Sequence, residues 1–505
     1  MQCDDLLRKV AAPVRQACQR LTQRAAGGKD VVRRRAADQA GDKAAGLGQT
    51  QGISAACGGD RGDAIDKLCP AQPPRQRGVE IGEKPGKAPE RAAPVAAFDT
   101  AEQGVVRLPP GGRVFECAPD KGMERRGQGG GRGGAGRKGP GWGASGRNGG
   151  QLNPGFKYDP SWFLSRFGAE RGQSLVDFGW STVDEVADLV QRLGLDCDLR
   201  LNGTLRAAAK HADVPAVRRS FEDMAAQGMP VDWLEGGALA RLTGHSRYPA
   251  ALLDRRGGDL NPLKYTCGLG RAAAQAGAQV FAHARVSRLA RENGLWQLDV
   301  NGQRLSAQRV MVACNGYADK LVPGLKRLSV PVFSSVLASE PLPPELVREV
   351  MPGRQVLYES GLVTVYYRVD TANRLIIGGR GPMRPSSDPG QMKAIASYAK
   401  LLWPEIAKVG WGHAWNGRVS ITTDHLPHIH TPEEGLCILY GYNGRGVAMA
   451  TAMGRHVARL LVGDGQEGDL LLPPSEMKPI RFHTFWPIGV HATVAAARVR
   501  QSFRR

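Results

Sequence analysis

A glycine-rich loop constrains what this chain can fold into more than any other stretch. Residues 141–151 read Gly-Trp-Gly-Ala-Ser-Gly-Arg-Asn-Gly-Gly-Gln, so five glycines and two other small residues leave the backbone open to close approach. Consecutive N–H groups in such a loop form a concave anion site, which the N-terminus of a following helix reinforces. Arg147 adds a fork of donors and Asn148 an amide. The stretch predicts a loop that lies along a phosphate or a flat, electron-rich ring.

Three later segments extend this interpretation. Residues 310–317, Val-Met-Val-Ala-Cys-Asn-Gly-Tyr, indicate a buried strand that stops in a glycine turn. Residues 415–427, Trp-Asn-Gly-Arg-Val-Ser-Ile-Thr-Thr-Asp-His-Leu-Pro, are followed by a second turn at 441–447, Gly-Tyr-Asn-Gly-Arg-Gly-Val. In this order the four motifs resemble the FAD-dependent amine and amino-acid oxidase family that includes D-amino-acid oxidase and glycine oxidase. The resemblance is nearest to the bacterial gamma-glutamylputrescine oxidase type, and it covers roughly residues 135 to 500.

The resemblance implies an α/β (α+β overall) fold with two interleaved domains. We expect an incomplete FAD-binding Rossmann-like domain, an antiparallel-sheet substrate domain and a disordered N-terminal segment. A composition shift ends the first segment, and the other boundaries are those that the resemblance implies. They are 1–134 for the atypical segment, 135–200, 257–329 and 406–470 for the FAD-binding domain, 201–256 and 330–405 for the substrate domain, and 471–505 for a C-terminal tail.

The resemblance also implies which residues bind FAD. The backbone of Val286 is expected near the adenine end, and Asn315 with Gly316 where the sheet meets the cofactor, although an ordinary strand-end turn would also place glycine there. The turn at 441–446 is expected to aim the next helix at the flavin N1–C2=O edge. The candidate cofactor-binding residues are Gly143, Ala144, Ser145, Gly146, Arg147, Asn148, Gly149, Gly150, Gln151, Val286, Asn315, Gly316, Gly441, Tyr442, Asn443, Gly444 and Gly446.

On the substrate side two candidates stand out, and no catalytic residue is assigned. Tyr366 and Tyr367 would alternate across a strand, so we expect one to face substrate and the other to pack. By resemblance Arg418 lies near the substrate's carboxylate or the flavin, and a guanidinium suits bidentate carboxylate binding. The implied reaction oxidises the C–N bond of a small amine or amino acid by hydride transfer to flavin N5. Imine hydrolysis and reoxidation by O2 or another acceptor follow.

Residues 1–134 do not match this pattern. They contain no Tyr, Trp or His, and no apolar period lasts, so we expect a segment that cannot offset its ordering entropy. The family's chain begins with a strand, a Gly-x-Gly-x-x-Gly turn and a helix, yet nothing like that strand precedes Gly129-Gly-Gly-Arg-Gly-Gly134. Gly134 stands where the family has an acidic residue. We hypothesise that residues 1–134 are translated in a wrong frame or joined to the wrong upstream sequence. A natural disordered extension is the alternative.

Bulk properties leave two rival functions to weigh. The net charge of +20 and the run Arg125-Arg-Gly-Gln-Gly-Gly-Gly-Arg-Gly-Gly134 suit nucleic-acid binding, but no aromatic residue lies between Phe115 and Trp142 for base stacking. The other rival is a catalytically impaired remnant without tight FAD binding.

The spacing of the cysteines and histidines indicates whether a metal site is expected, and the hydropathy indicates the location. Nine scattered Cys without CxxC spacing predict neither a zinc site nor a disulfide framework. His425 and His428 lack metal-ligand spacing, so we expect no metal. With no signal-like N-terminus and no long apolar run, we expect a soluble cytoplasmic protein.

Overall fold

The computed structural model describes residues 95–98, 104–105, 140–318, 320–361, 364–462, 470–490 and 492. All of them belong to one compact unit, Arg91–Arg505. Within this described part, no helix is long and apolar enough to cross a membrane. The cytoplasmic location stays a prediction. Of residues 1–134, only 95–98 and 104–105 are among the described residues, and both form short strands. The rest, including the run at 129–134, lies outside them, so the expected disorder stays a prediction.

The described chain is a mixture of helices and sheets, as the sequence predicts. The helices are α1 (Ala144–Arg147), α2 (Pro160–Phe167), α3 (Ala169–Arg192), α4 (Val214–Ala226), α5 (Gly236–Thr243), α6 (Pro262–Gln275), α7 (Pro344–Glu349), α8 (Lys393–Leu402) and α9 (Gly446–Val462). The strands are β1 (Val95–Phe98), β2 (Gly104–Val105), β3 (Gln151–Leu152), β4 (Thr204–Ala208), β5 (Val231–Glu235), β6 (Ala250–Asp254), β7 (Gly258–Asp259), β8 (Val286–Glu292), β9 (Leu295–Val300), β10 (Gln303–Ala307), β11 (Arg309–Val312), β12 (Ser329–Ser339), β13 (Val356–Ser360), β14 (Tyr366–Val369), β15 (Leu375–Arg380), β16 (Trp411–Thr422), β17 (His428–Glu433) and β18 (Leu436–Tyr440). Short 3-10 turns at 211–213, 315–317, 325–327, 389–392, 404–408 and 483–485 connect them.

A five-stranded sheet has the order β17-β18-β11-β1-β2, with β18, β11 and β1 parallel. Residues 1–134 show no strand-like pattern in the sequence, yet β1 (Val95–Phe98) lies among them. Val95–Phe98 is too short and alanine-rich to stand out in the sequence. It forms a strand because the edge of β11 supplies its backbone partners, so tertiary pairing outweighs a weak local signal.

An eight-stranded sheet has the order β16-β12-β15-β14-β13-β4-β6-β5. Its pairs are antiparallel except β13 with β4. One point differs from the expected layout, because residues 411–419 were expected to return to the flavin domain. They instead form β16, which pairs along its length with β12 at the edge of this sheet.

Apolar residues at helical spacing from Ser161 to Gly194 predict a helix or helix pair, and the structure has α2 and α3, which break at Gly168. Asn261 before Pro262 predicts a helix start, and the Asn261 side chain caps α6 by accepting a hydrogen bond from Lys264 N at 3.2 Å. The sequence of residues 280–286 predicts a strand, but the chain turns at His283 (φ 58°) and β8 begins only at Val286.

Two apolar cores lie on either side of the glycine loop and α1. One packs α3 against α9 and contains Leu175, Phe178 and Ala452. The other lies under the eight-stranded sheet and is centred on Tyr367 and Trp403. Between them run the glycine loop and α1, which contact both α6 and β16.

Candidate active site

The glycine loop is closed on itself by Asn148. Its amide Nδ2 donates to Ser145 O at 2.7 Å and to Ala144 O at 3.2 Å, and its Oδ1 accepts from Gly150 N at 2.8 Å. A Cβ on Gly146 would collide with the carbonyl of Gly141, so the turn needs glycine there. The Asn148 side chain therefore shapes the loop, and its predicted contact with the cofactor stays a prediction.

Two strands of the eight-stranded sheet, β16 and β14, hold this loop by its carbonyls. Trp415 Nε1 donates to Arg147 O at 2.8 Å, and Arg368 Nε donates to Gly149 O at 2.7 Å. Arg368 is itself fixed by a buried ion pair with Asp259 at 2.8 Å. Gln151 reaches the eight-stranded sheet through its Nε2, 2.9 Å from Leu357 O. The loop is thus a fixed part of the eight-stranded sheet's surface rather than a free segment.

Aromatic rings and two arginines connect the loop to β16. The Arg147 guanidinium lies 4.7 Å from the centre of the Trp142 ring, and Trp142 meets Tyr317 edge-on at 6.4 Å. The Arg418 guanidinium lies 4.5 Å from the Tyr317 ring centre, and Arg418 N donates to Tyr317 OH at 2.9 Å. The structure therefore brings Arg418 to the loop. Tyr317 was missed as a site residue, although it directly follows the Asn315-Gly316 turn.

Tyr366 and Tyr367 face opposite sides of β14. The Tyr366 ring lies over Gly378 and against Gly149, and its hydroxyl is 2.8 Å from Ser334 Oγ. Burial raises the pKa of Tyr366, and the bond to Ser334 opposes that rise. Tyr367 is fully buried on the other side and donates to Tyr248 OH at 3.0 Å. Tyr366 is therefore the tyrosine of the pair that faces the glycine loop.

The turn before α9 is joined to the end of β11. Gly441 N donates to Asn315 Oδ1 at 3.0 Å. Asn443 is buried, and its Oδ1 accepts from Thr422 N at 2.9 Å while its Nδ2 donates to Leu426 O at 3.2 Å. The Asn443 side chain thus holds the turn together. α9 follows directly, with no acidic residue in its first turn.

The remaining candidate residues lie in different surroundings: some are tightly packed, one borders open space, and one is in another sheet. Gly316 packs so closely that a Cβ would lie 2.7 Å from Ser420 Oγ, and Tyr442 is buried in the core against α3 and α9. Gly444 has φ 84°, and a Cβ there would meet no atom within 4 Å. Val286 opens β8 in the separate three-stranded sheet β10-β9-β8, paired with Val300. Its adenine contact stays a prediction.

His425 lies in the turn after β16, and His428 is the first residue of β17. His428 lies 3.1 Å from Asp424 Oδ1 and 2.9 Å from Ser475 Oγ. Among the residues that the structure describes, no group of three or more His, Cys, Asp or Glu side chains is arranged to hold a metal ion.

These features fit the flavin end of FAD. The glycine turn at Gly444 faces open space at the start of a 17-residue helix, whose first N–H groups carry positive partial charge. The loop at 143–150 and the Asn315 turn border the same region through the contacts with β16 and Gly441. The described residues thus supply the donors that a ring carrying negative charge at its edge requires. The strand, glycine turn and helix that bind the pyrophosphate in the family are the unit that the sequence was expected to lack, and the run at 129–134 lies outside the described residues.

Comparison with known families agrees with this geometry. The family model described as "FAD dependent oxidoreductase" (DAO) matches residues 135–460, more than half of the chain. The chain belongs to this family. The predicted family, FAD as the cofactor and an oxidoreductase activity are therefore confirmed.

Individual relatives show how far the similarity extends. Gamma-glutamylputrescine oxidoreductase of Escherichia coli (strain K12) is 28% identical over 333 residues, which are 65% of this chain and 77% of the relative. Glycine oxidase of Geobacillus kaustophilus (strain HTA426) is 25% identical over 287 residues, 54% of this chain and 73% of the relative. The crystal structure of glycine oxidase from Geobacillus kaustophilus superposes with a TM-score of 0.55 at 22% identity, covering 64% of this chain and 86% of that chain. This last likeness shows that the fold is shared.

Proposed function

We propose that this FAD-dependent oxidoreductase oxidises the C–N bond of a small amine or amino acid at the face of the glycine loop. The observation that carries the proposal is that Tyr366 packs against Gly149 of the loop, while Arg418 reaches the loop through the Tyr317 and Trp142 rings. The turn before α9 is joined to Asn315, two residues before Tyr317. Similarity to oxidoreductases named for gamma-glutamylputrescine and glycine supports an amine-bearing substrate. FAD, when bound, accepts the hydride from the carbon that carries the neutral amine.

The protein's own groups would bind and orient the substrate. The Arg418 guanidinium lies 4.5 Å from the centre of the Tyr317 ring, which orients it. It would hold a carboxylate or another electron-rich group in place. Tyr366 would cover the reacting carbon with its ring, since its hydroxyl is already bonded to Ser334. Positioning of this kind is the main contribution a protein makes when the cofactor supplies the chemistry.

The positive end of α9 would stabilise negative charge that develops on the cofactor. A helix N-terminus carries roughly half an elementary charge, and the effect is strongest within the first turn. The first turn of α9 contains no acidic residue to cancel it. The proposed role of residues 441–446 in cofactor binding rests on this arrangement.

Gamma-glutamylputrescine is the first substrate to test, and O2 is the first electron acceptor. Purified protein saturated with FAD would be mixed anaerobically with gamma-glutamylputrescine, putrescine, glycine and D-alanine, and loss of the oxidised flavin band would be recorded. At least one amine should bleach the flavin, and admission of O2 should restore the band if the enzyme is an oxidase. A flavin that none of these amines reduces, although dithionite reduces it, would contradict the proposal.

A variant pair tests the role of Arg418. Arg418→Met should lower kcat/KM for the accepted substrate by roughly tenfold to a hundredfold, as expected when a charge-assisted hydrogen bond is lost. Arg304→Met is the matched control, because Arg304 is exposed on the three-stranded sheet and pairs with Asp299 and Glu292. Equal losses in the two variants would remove Arg418 from the site.

A further inference from the structure

A basic cluster lies around the segment that follows the glycine loop. Residues 154–159 are held by three contacts with other parts of the chain. Gly155 N donates to Gly179 O of α3 at 2.8 Å, and Tyr158 OH donates to Asp424 O at 2.8 Å. Asp159 accepts from Ser220 Oγ of α4 at 2.7 Å. The backbone of Lys157 is therefore held firmly between anchored neighbours.

Three cations from separate parts of the chain meet at this segment. Arg445, in the turn before α9, donates from Nη1 to the carbonyls of Pro154 and Gly155. Arg206 of β4 lies 3.3 Å from Asp159 Oδ1. Lys157 stands between these two contacts along the chain. We call Lys157, Arg206 and Arg445 the basic cluster.

The eight-stranded sheet places this cluster in line with Tyr366. In register, Arg206 of β4 pairs with Tyr358 of β13, and Tyr358 pairs with Tyr366 of β14. Paired residues on neighbouring strands point to the same face, so these three side chains form one row. Arg445 Nη2 lies 3.4 Å from Tyr358 OH, which attaches the third cation to the row. The Cα atoms of Arg206 and Tyr366 are two strand spacings apart, which is roughly 10 Å.

The basic cluster has more positive charge than its neighbours neutralise. Asp159 pairs with Arg206, but among the described residues no carboxylate lies within the 4.0 Å of an ion pair from Lys157 or Arg445. Tyr358 offers a hydroxyl, and His425 lies close enough for the charge of Lys157 to act on it. Cations concentrated in this way attract an anionic group.

Lys157 is exposed, so a ligand can reach its amine from solvent. Nearby protein desolvates the ammonium, and with repulsion from Arg445 and Arg206 this lowers the pKa of Lys157 to about 7. A bound carboxylate favours the charged ammonium.

We propose that Lys157, Arg206 and Arg445 form a subsite for a carboxylate that the substrate carries roughly 10 Å from the amine to be oxidised. The subsite is separate from Arg418, which lies on β16 at the other edge of the sheet. It selects amines with a distal carboxylate over uncharged amines of the same length. The inference rests on the proposed function for the amine, whereas the binding of the carboxylate can be measured without turnover.

Calorimetric titration of the full-length protein with glutarate tests the subsite directly, with glutaramide as the uncharged analogue. Glutarate should bind more tightly than glutaramide. Lys157→Met should weaken glutarate binding about tenfold or more, as the loss of a charge-assisted hydrogen bond predicts. Lys157→Arg should keep most of the affinity. Lys408→Met is the matched control, because Lys408 is an exposed lysine paired with Glu405 elsewhere on the surface.

A kinetic arm separates this inference from the proposed function. The ratio of kcat/KM for 6-aminohexanoate to that for hexylamine should fall about tenfold in Lys157→Met and stay at the wild-type value in Lys408→Met. If no amine is oxidised but glutarate binding depends on Lys157, the proposed function fails and the subsite stands. Glutarate binding that is equal in wild type, Lys157→Met and Lys408→Met would overturn the subsite, whatever the enzyme oxidises.

Discussion

Asn315 Oδ1 accepts a hydrogen bond from Gly441 N at 3.0 Å, which joins the turn after β11 to the turn before α9. Asn315 has φ 46°, in the left-handed region that Asn tolerates better than most residues. The side chain and the backbone conformation thus both favour Asn. This single contact sets the separation of the two glycine turns that are expected to border the cofactor.

Asn315→Ala should weaken both folding and cofactor retention. The substitution removes the acceptor for Gly441 N and leaves a less tolerant residue at positive φ, together about 1–3 kcal/mol of unfolding free energy. Urea denaturation measures the stability, and FAD retained after gel filtration measures the site. Asn315→Asp keeps an acceptor and should lose less. An alanine variant with wild-type stability would show that the contact contributes nothing.

Gly149→Ala should disturb the loop through Tyr366. An added Cβ would lie 2.5 Å from the Tyr366 ring, so either the ring or the loop has to move. We expect weaker FAD binding and a loss of about 1–3 kcal/mol in stability. Gly454→Ala is the control, because a Cβ there in α9 meets no atom within 4 Å and removes a helix-weakening glycine. Equal effects of the two substitutions would contradict the packing described for Tyr366.

Asp259→Ala should be strongly destabilising. Asp259 is fully buried and pairs with both Arg200 and Arg368, so its removal leaves buried positive charge and frees the arginine that holds Gly149 O. Breaking a buried pair of this kind costs about 3–5 kcal/mol. Asp232→Ala removes the exposed partner of Arg255 and should cost about 0–1 kcal/mol. Chemical denaturation of both variants gives the comparison.

His245 should make the protein less stable in mild acid. Burial, followed by repulsion from Arg247, lowers the pKa of His245 from 6.5 to about 4. Because the unfolded chain takes up this proton more readily, stability falls as pH drops from about 6.5 to about 4, by up to about 1.4 kcal/mol per pH unit. His245→Asn should reduce that slope when unfolding is measured at several pH values. An unchanged slope would mean that His245 does not titrate in this way.

The glycine motifs could be predicted from the sequence because their chemistry is local. Residues 141–151 and 441–447 each specify a turn through glycine itself, and Pro262 after Asn261 signals the start of α6. The opposite orientation of Tyr366 and Tyr367 follows from strand geometry alone. In each case a few consecutive residues carry the whole signal.

The basic cluster could not be predicted in the same way. Lys157, Arg206 and Arg445 are far apart in the chain. The register of β4, β13 and β14 places Arg206 in one row with Tyr358 and Tyr366, and only the fold brings Arg445 and Lys157 beside that row. Val95–Phe98 was missed for a related reason, since a short alanine-rich stretch becomes a strand only beside β11. These features depend on pairing between distant segments, which no local pattern encodes.

The most direct test of the account is the visible absorption spectrum of the purified full-length chain after incubation with FAD and gel filtration. The arrangement of residues 143–150, Asn315 and α9 predicts a flavin band that elutes with the protein. A soluble protein that elutes colourless would contradict a functional cofactor site in this chain. That result would favour the catalytically impaired remnant among the alternatives.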